Sequence, residues 1–189
     1  EVPSIREIIN KWLKLKELAN LKESNDIDEK YLRIVQSFEK DLKKIELIGD
    51  HTLAFRKHDF TAILEHMGNG FKKFFDILLT IDLANKNKIP TLLCIDEIEN
   101  GLFYDKQDLF WEQIIKLCDE YDIQLFATTH SYEALQSILA CGSKLYPKKG
   151  QFDEIFNISK LIKFENEIKC FRYNQALLTA RIENQMETR

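Results

Sequence analysis

This 189-residue sequence lacks several features that would assign it to a specialised class of protein. No apolar run approaches the length that a membrane-spanning helix requires, so we expect no membrane partner. No signal-peptide pattern precedes the first helical pattern. There is no excess of positive charge either, because the formal net charge is −4. A protein wrapped mainly in nucleic acid is therefore not expected, although a local basic patch is compatible with this charge.

Paired cysteines, internal repeats and low-complexity segments are also missing. The four cysteines, Cys94, Cys118, Cys141 and Cys170, are widely spaced and form no CxxC pair. That spacing gives no reason to expect a zinc site, and it favours reduced, partly buried thiols of the kind found in the cytoplasm. The remaining composition is ordinary for a globular protein, with 44% hydrophobic and 31% charged residues. The length suits one medium domain, or one domain with an appendage.

The N-terminal pattern predicts two helices. Ser4 and Glu7 have capping-box spacing, and apolar residues follow them at helical intervals. The polar stretch at residues 23–26 breaks this pattern, and a second helical series resumes after it. We therefore expect a helical arm or hairpin over residues 1–43. The alternative is an ordinary helical hairpin packed on a core, because two heptads are too few to indicate a coiled coil.

From residue 44 the pattern becomes that of an α/β domain, which we place at residues 44–189. Apolar runs flank Gly49-Asp50 as in a β-hairpin. The runs that follow predict, in chain order, a helix with Phe71 to Leu79 on one face, a buried strand at 92–95, a helix from Phe103 to Tyr121, a strand at 123–127 and a helix at 132–140. Alternating strands and helices indicate a parallel sheet with right-handed crossovers. The tail is expected to hold short strands near 155–158, 161–164 and 168–171, and a closing helix from Asn174 that includes Met186.

The strongest chemical signal is the segment TLLCIDE at residues 91–97. Its apolar residues predict a buried parallel strand, and Asp96 and Glu97 emerge at the carboxyl end, where open α/β sheets place their ligands. Neighbouring strand residues point to opposite sides, so the two carboxylates can take different roles. One can hold Mg²⁺ through water, while the other orients and deprotonates an attacking water. The alternative is a strand that ends in two solvated acids.

Two further segments bear on that choice. His130, in the segment FATTHS at residues 126–131, follows the next strand at the same predicted sheet edge and could hydrogen-bond a γ-phosphate. The alternative for His130 is a histidine at a helix N-terminus that backbone groups satisfy. The segment HMGNGFKK at residues 66–73 opens an apolar helix, and its glycines would let backbone N–H groups approach an anion. A plain turn before a helix is the alternative there.

Taken in order, these segments resemble the C-terminal lobe of ABC-type P-loop ATPases. The likeness is to the AAA-family branch that holds the structural-maintenance-of-chromosomes (SMC), RecF and OLD-like proteins. It covers residues 53–130 well and the tail loosely. The matching segments, in chain order, are a signature loop (MGNG, residues 67–70), a Walker B pair (Asp96 and Glu97), a D-loop (ENGL, residues 99–102) and an H-loop (His130). The N-terminal helices lie where this branch inserts an arm between its two lobes.

The resemblance implies ATPase heads that dimerise around ATP, with each ATP between one head's Walker motifs and the other head's signature loop. It implies that Asp96 serves Mg²⁺, that Glu97 polarises water and that His130 senses the γ-phosphate. The residues implied to face nucleotide or to cross the interface are Gly68, Asn69, Gly70, Lys72, Asn100 and Gly101. ATP and Mg²⁺ are the implied cofactors, and a second head in a homodimer is the implied partner. DNA or an effector protein is a further implied partner, since DNA repair, chromosome handling and phage defence are all compatible with this branch of the family.

One motif of the family is missing, because no GxxxxGK[ST] occurs in the sequence. In the family this Walker A loop supplies most phosphate contacts. The resemblance therefore implies that a lobe carrying it is supplied in cis or in trans, and that these 189 residues alone bind ATP weakly or not at all. The alternative is a non-catalytic interaction module that keeps the ATPase fold without a nucleotide site. A nuclease partner domain has little support, because the remaining acids show no clear metal-site spacing.

Overall fold

A computed structural model of the chain describes residues 3–19, 21–49, 52–165 and 167–184. The chain forms two compact units, Glu1–Thr128 and Thr129–Arg189. The first unit combines helices with an antiparallel sheet and a parallel strand pair, and the second combines helices with an antiparallel hairpin. The α/β class predicted from the sequence is confirmed. The predicted domain boundary at residue 43 stays a prediction.

Two helices open the first unit, as the sequence predicts. Helix α1 spans Ile5–Glu17 and begins with the predicted capping box, in which the Ser4 N–H donates to the Glu7 carboxylate at 2.9 Å. Helix α2 spans Leu21–Phe38, so the expectation that residues 23–26 break the helical pattern is wrong. Propensity is a weak local preference, and one face of α2, formed by Ile27, Tyr31, Val35 and Phe38, is buried in the core. That packing outweighs the polar composition of the first turns.

Both helices pack on a central helix, α3, which spans Asn69–Lys86. The rings of Trp12 in α1 and Tyr31 in α2 lie 5.8 and 5.5 Å from the ring of Phe75. Phe38, at the end of α2, stacks on Phe74 with ring centroids 4.1 Å apart. In the described part of the chain, the N-terminal helices are therefore a pair packed on a core, which was the alternative to a projecting arm.

A small antiparallel sheet leads into α3. Its strands are β1 (Lys44–Ile48), β2 (Thr52–Arg56) and β3 (Thr61–Ile63), in that order, so the hairpin predicted around residue 49 is confirmed. A short 3₁₀ helix, Leu64–His66, follows β3 and brings the chain to α3. The ring of Phe55 on β2 meets the ring of Phe71 edge-on at 5.1 Å, so this sheet supports the first turns of α3.

The parallel pair is formed by β4 (Leu92–Ile95) and β5 (Gln124–Ala127), as predicted. Helix α4 (Gln107–Glu120) connects them and is preceded by a 3₁₀ helix, so Phe103 lies before α4 rather than on its face. The expectation that β4 is buried is wrong, because Leu92 is 59% exposed and Phe126 on β5 is 65% exposed. Exposed and half-buried residues alternate along both strands, which is the pattern of a strand pair covered on one face.

The second unit comprises α5 (Tyr132–Leu145), α6 (Gln151–Ile155), β6 (Ile158–Phe164), β7 (Glu167–Tyr173) and α7 (Gln175–Glu183). Strands β6 and β7 form an antiparallel hairpin, as two of the predicted tail strands require. The third, predicted at 155–158, is wrong, because Ile155 ends the short helix α6. The closing helix starts after Asn174 as predicted, and Met186 lies outside the described residues. Phe152, Tyr173 and Leu178 form the core of this unit.

Candidate functional site

The predicted carboxylate pair lies directly beyond β4, at the carboxyl end of the parallel strands. Asp96 and Glu97 are both exposed. Glu97 has a left-handed backbone conformation, with φ of +44°, which is uncommon for a residue that carries a side chain. The chain turns at Glu97 instead of continuing as a strand, so the expected alternation of the two side chains along a strand does not apply. Backbone conformations of this kind cost about 1–3 kcal/mol and persist where neighbouring contacts hold them.

Thr128, just past β5, connects the two acidic residues. Its hydroxyl donates to Asp96 Oδ1 and accepts a hydrogen bond from the Glu97 N–H at 2.9 Å. Backbone bonds from Thr128 N to Ile95 O and from Ile98 N to Thr128 O, both 3.0 Å long, extend the pairing of the two strands. The acidic turn is therefore attached to the end of β5 through one residue.

The glycine-containing loop at residues 67–70 leads into the N-terminus of α3. Gly68 occupies the N-cap position, and no side chain caps the helix there. Gly68 and Asn69 are both exposed. The first N–H groups of a helix have no partner within it, and they carry the positive end of the helix dipole. The arrangement is therefore suited to binding an anion such as a phosphate.

Two glycines bring this loop and the acidic turn into contact. Gly70 is buried, and a Cβ built on it would overlap the carbonyl oxygen of Gly101 and lie 3.1 Å from Leu102 Cα. Gly101 itself has φ of +83°, a conformation that glycine adopts without steric cost. The sequence places these two glycines in separate motifs, the signature loop and the D-loop. The structure shows that the two motifs touch within one chain.

Lys73 on α3 also reaches the acidic turn. It is only 6% exposed, and its Nζ donates to the backbone oxygen of Glu97 at 2.6 Å. Burial lowers the pKa of Lys73, and the negative charges of Glu99, Glu97 and Asp96 oppose that shift. The side chain thus joins the first turns of α3 to the residue with the unusual backbone conformation.

The other predicted interface residues lie near the same turn. Lys72, which the sequence singles out in place of Lys73, donates from Nζ to the backbone oxygen of Glu65 at 3.0 Å. Asn100 is exposed, and its backbone N–H donates to Glu97 O at 2.9 Å. The Asn100 side chain lies 3.5 Å from Glu97 Oε2. The roles assigned to these residues stay predictions.

His130 belongs to the second unit, where it precedes α5 and is exposed. The next residue, Ser131, caps α5 by accepting a hydrogen bond from the Ala134 N–H at 3.1 Å. His130 therefore precedes a well-formed helix start, as both interpretations of the sequence require. Its role as a phosphate sensor stays a prediction.

The donor set near Asp96 suits magnesium rather than zinc. Among the described residues, no three His, Cys, Asp or Glu side chains gather closely enough to hold a metal ion. Mg²⁺ beside a nucleotide usually takes one or two carboxylates together with phosphate oxygens and water, so such a gathering is not needed. An exposed carboxylate with a hydroxyl beside it, as at Asp96 and Thr128, meets that requirement.

No helix in the described ranges is long and apolar enough to cross a membrane.

Thr128 and Lys73 are the site residues that the sequence analysis does not single out. The sequence does contain a signal for Thr128, because this residue lies two positions before His130 in the same segment, FATTHS. Lys73 offers no such signal, since two adjacent lysines look alike until the helical phase of α3 is known.

Comparisons with known proteins identify the family and the fold of this chain. The family described as AAA domain, putative AbiEii toxin, Type IV TA system matches residues 2–136, which include the glycine loop, the acidic turn and His130. Among solved structures, the fold is similar to one from work on the ATP-driven dimerization and DNA-stimulated activation of SMC ATPases. That likeness has a TM-score of 0.57 at 11% identity and covers 86% of this chain and 92% of the other, so it shows a shared fold. No curated protein matches the sequence.

The family match covers most of the chain, and the structural likeness is to an ATPase of the SMC type. The resemblance predicted from the sequence motifs is therefore confirmed at the level of fold and family. This chain belongs to the AAA-domain family described as putative AbiEii toxin, and it has the fold of an AAA- or ABC-type P-loop ATPase region.

Proposed function

We propose that this chain carries the hydrolytic carboxylates of an ATPase head and the loop that completes the nucleotide site of a second head. One observation carries the proposal: the exposed Asp96-Glu97 pair lies at the end of two parallel strands, and Gly101, four residues after Glu97, contacts Gly70 at the start of α3. Family membership supports an ATPase-like function in general. The turn indicates which residues would perform it.

Within the head, the two carboxylates take different roles. Asp96, with the Thr128 hydroxyl beside it, would hold Mg²⁺. When bound with ATP, Mg²⁺ neutralises charge on the phosphates. Glu97 accepts a proton from the attacking water, because its carboxylate lies on a turn that two neighbouring segments, α3 and the end of β5, hold in place. His130 donates a hydrogen bond from a ring N–H to an oxygen of the γ-phosphate.

Between heads, the loop at the start of α3 faces the nucleotide of the partner. Gly68 and Asn69 are exposed, and backbone N–H groups at an uncapped helix start can bind phosphate oxygens. Lys72 adds a positive charge within the same helical turn, and Asn100 and Gly101 lie at the dimer interface. The proposed assembly is a homodimer with two such shared sites, formed when ATP is bound.

A further lobe supplies the Walker A loop, in the same protein or from another chain. The open face of the parallel pair supports this, because Leu92, Cys94 and Phe126 are exposed there and Cys94 lies directly opposite Phe126. Apolar side chains in a sheet are ordinarily covered by another layer. The process that hydrolysis drives is proposed to be defence- or DNA-related, in the cytoplasm, with DNA or an effector protein as a partner.

The decisive test is Glu97→Gln in the full-length protein. Gln is nearly isosteric with Glu but cannot accept the proton, so hydrolysis should fall by about 10²–10⁴-fold, the range of general-base catalysis. ATP binding should persist, and the nucleotide should hold two heads together. Steady-state phosphate release and light scattering measure the two effects. The matched variant Asp96→Asn should instead weaken Mg-ATP binding itself.

A rate for Glu97→Gln above roughly a tenth of the wild-type rate would remove Glu97 as the base, since that loss lies below the general-base range. If the full-length protein binds no ATP at all, the second candidate applies: a non-catalytic interaction module with an ATPase fold. The feature that favours this alternative is the missing GxxxxGK[ST] motif.

A further inference from the structure

The acidic turn rests on one face of α3 through two contacts. Gly70 lies against the backbone of Gly101, and Lys73 donates to the carbonyl oxygen of Glu97. Residues three apart on a helix lie on the same face, so Gly70 and Lys73 point toward the same neighbour. The exposed loop residue Gly68 is five positions before Lys73, which is about 7.5 Å along the helix axis. A short rigid segment therefore separates the anion-binding end of α3 from the turn that carries Glu97.

The burial of Lys73 is unusual for its type. Lysine is almost never fully buried unless it is paired, because its ammonium group loses hydration. The partner that the structure provides is a backbone carbonyl at 2.6 Å, with the acidic segment around it. This carbonyl also accepts the Asn100 N–H, so Glu97 O receives two hydrogen bonds. Together with the bond from Glu97 N to Thr128, they hold the left-handed conformation of Glu97 from both sides.

We propose that Lys73 is a positioning residue that fixes the Glu97 turn against α3 and thereby couples the glycine loop to the catalytic carboxylate. When a partner's nucleotide engages the loop, any shift of the helix end reaches the Glu97 backbone through Lys73. The inference rests on the proposed function, because it assumes that Glu97 is the base and that the loop faces a second head. It adds a link between the two sites within one chain.

The first measurement requires no nucleotide. Amide hydrogen exchange of peptides covering residues 96–102 is compared between wild type, Lys73→Met and Lys11→Met. Met keeps the length of the apolar stem and removes the donor. Lys11 is the control, because its Nζ bonds to Asp76 on α3 at 2.6 Å and makes no hydrogen bond to residues 96–102. We expect faster exchange at residues 96–102 in Lys73→Met only, and unchanged exchange there would overturn the proposal.

The second measurement is a kinetic cycle in the full-length protein. Misplacing a catalytic group by about 1 Å costs on the order of 10²-fold, so Lys73→Met should lower kcat by roughly that factor. The KM for ATP should stay within about threefold, because the lost interaction serves the transition state. In the Glu97→Gln background, where there is no base to position, Lys73→Met should have little further effect in single-turnover assays.

If Lys73→Met lowers the hydrolysis rate equally in both backgrounds, or changes KM alone, Lys73 does not position Glu97 and its role is only structural. If Lys73→Met loses its cooperative melting transition, the same cycle is run with Lys73→Gln, which is also neutral but shorter and polar. The Glu97→Gln arm separates the two hypotheses. If that single variant hydrolyses ATP normally, the proposed function is wrong; if it is slow while Lys73→Met is normal, only the positioning role is wrong.

Discussion

Among single residues, Gly70 and Gly68 are two positions in one loop with opposite steric surroundings. A Cβ at Gly70 overlaps the Gly101 carbonyl, whereas a Cβ at Gly68 meets nothing within 4 Å. Gly70→Ser should therefore lower the free energy of unfolding by about 1–3 kcal/mol, the usual cost of overpacking. Gly68→Ser should change it by less than about 0.5 kcal/mol, because serine suits an exposed N-cap. Urea unfolding of both variants measures the difference.

The same substitution at both positions makes this comparison internally controlled. If Gly70→Ser is as stable as Gly68→Ser, the acidic turn does not rest closely on α3. The glycine contact that underlies the candidate site would then be absent from the folded protein.

Among secondary-structure elements, one lysine joins α2 to α3 and to the C-terminal end of α4. Lys30 donates to both carboxylate oxygens of Asp82, at 2.7 and 2.9 Å, and to the hydroxyl of Tyr121 at 2.8 Å. The Asp82 side chain is 9% exposed, so Lys30→Met leaves a buried carboxylate without this partner. We expect a loss of about 1–3 kcal/mol in unfolding free energy. Adding Asp82→Leu should recover most of it, because the unpaired charge is removed as well.

An exposed ion pair provides the control for that experiment. Lys116 bonds to Glu112 at 2.6 Å one turn away on α4, and its side chain is 47% exposed. Lys116→Met should cost less than about 0.5 kcal/mol, since surface pairs of this kind contribute little. Equal losses for Lys30→Met and Lys116→Met would show that the lysine does not join the three helices.

The contribution of Lys30 should also depend on pH. Burial alone would lower its pKa, but the charge of Asp82 and the hydrogen bonds to Asp82 and Tyr121 raise it above its ordinary value of 10.5. A raised pKa means that the folded state holds the proton more tightly than the unfolded state. The stabilisation is therefore fully present below pH 10.5 and is lost as pH rises through the folded-state pKa. The difference in unfolding free energy between wild type and Lys30→Met should therefore narrow as pH rises through the folded-state pKa of Lys30.

The sequence predicts a helix or strand well where the local spacing of its apolar residues is enough to determine it. The hairpin, α3, β4, β5 and α5 follow from apolar spacing, and the acidic pair and the glycine loop are visible as contiguous motifs. The predictions that were wrong concern features that depend on tertiary packing. Residues 23–26 continue a helix because later turns of α2 are buried, and β4 is exposed because one face of the strand pair is uncovered.

Within the candidate site, the contacts between distant segments escape prediction. Lys73 and Lys72 are equivalent in sequence, and only the phase of α3 decides which one reaches Glu97. The left-handed conformation at Glu97 is equally invisible, because glutamate has no preference for it. It results from hydrogen bonds to Thr128 and Lys73, which lie 31 and 24 positions away in the sequence.

For the whole molecule, the proposal concerns two heads that share ATP. Gly68 is the best position to test it, because it is exposed and has room for a side chain. Aspartate is also a favourable residue at the N-cap position that Gly68 occupies. Gly68→Asp in the full-length protein should leave ATP binding to each head intact. It should abolish ATP-dependent dimerisation, since a carboxylate would face the partner's phosphates. Light scattering with and without ATP, in the Glu97→Gln background, measures this.

Gly68→Ser is the neutral control and should dimerise as the parent does. If Gly68→Asp also dimerises normally, the loop at the start of α3 does not face the second head's nucleotide. The assignment of that loop would then fail, while the assignment of Asp96 and Glu97 would stand or fall on hydrolysis alone.

The contact between Gly70 and Gly101 also limits how this chain can change over evolutionary time. A Cβ on Gly70 would overlap Gly101, a Cβ on Gly101 would lie only 3.3 Å from Gly70 N, and Gly101 also has a backbone conformation that other residues rarely adopt. Neither position can drift alone while the helix and the turn stay together, so the two are inherited as a unit. In a relative where Gly70 has been replaced, we expect the turn to lie farther from the helix. The sequence motifs can then remain in that relative although the contact between the helix and the turn has been lost.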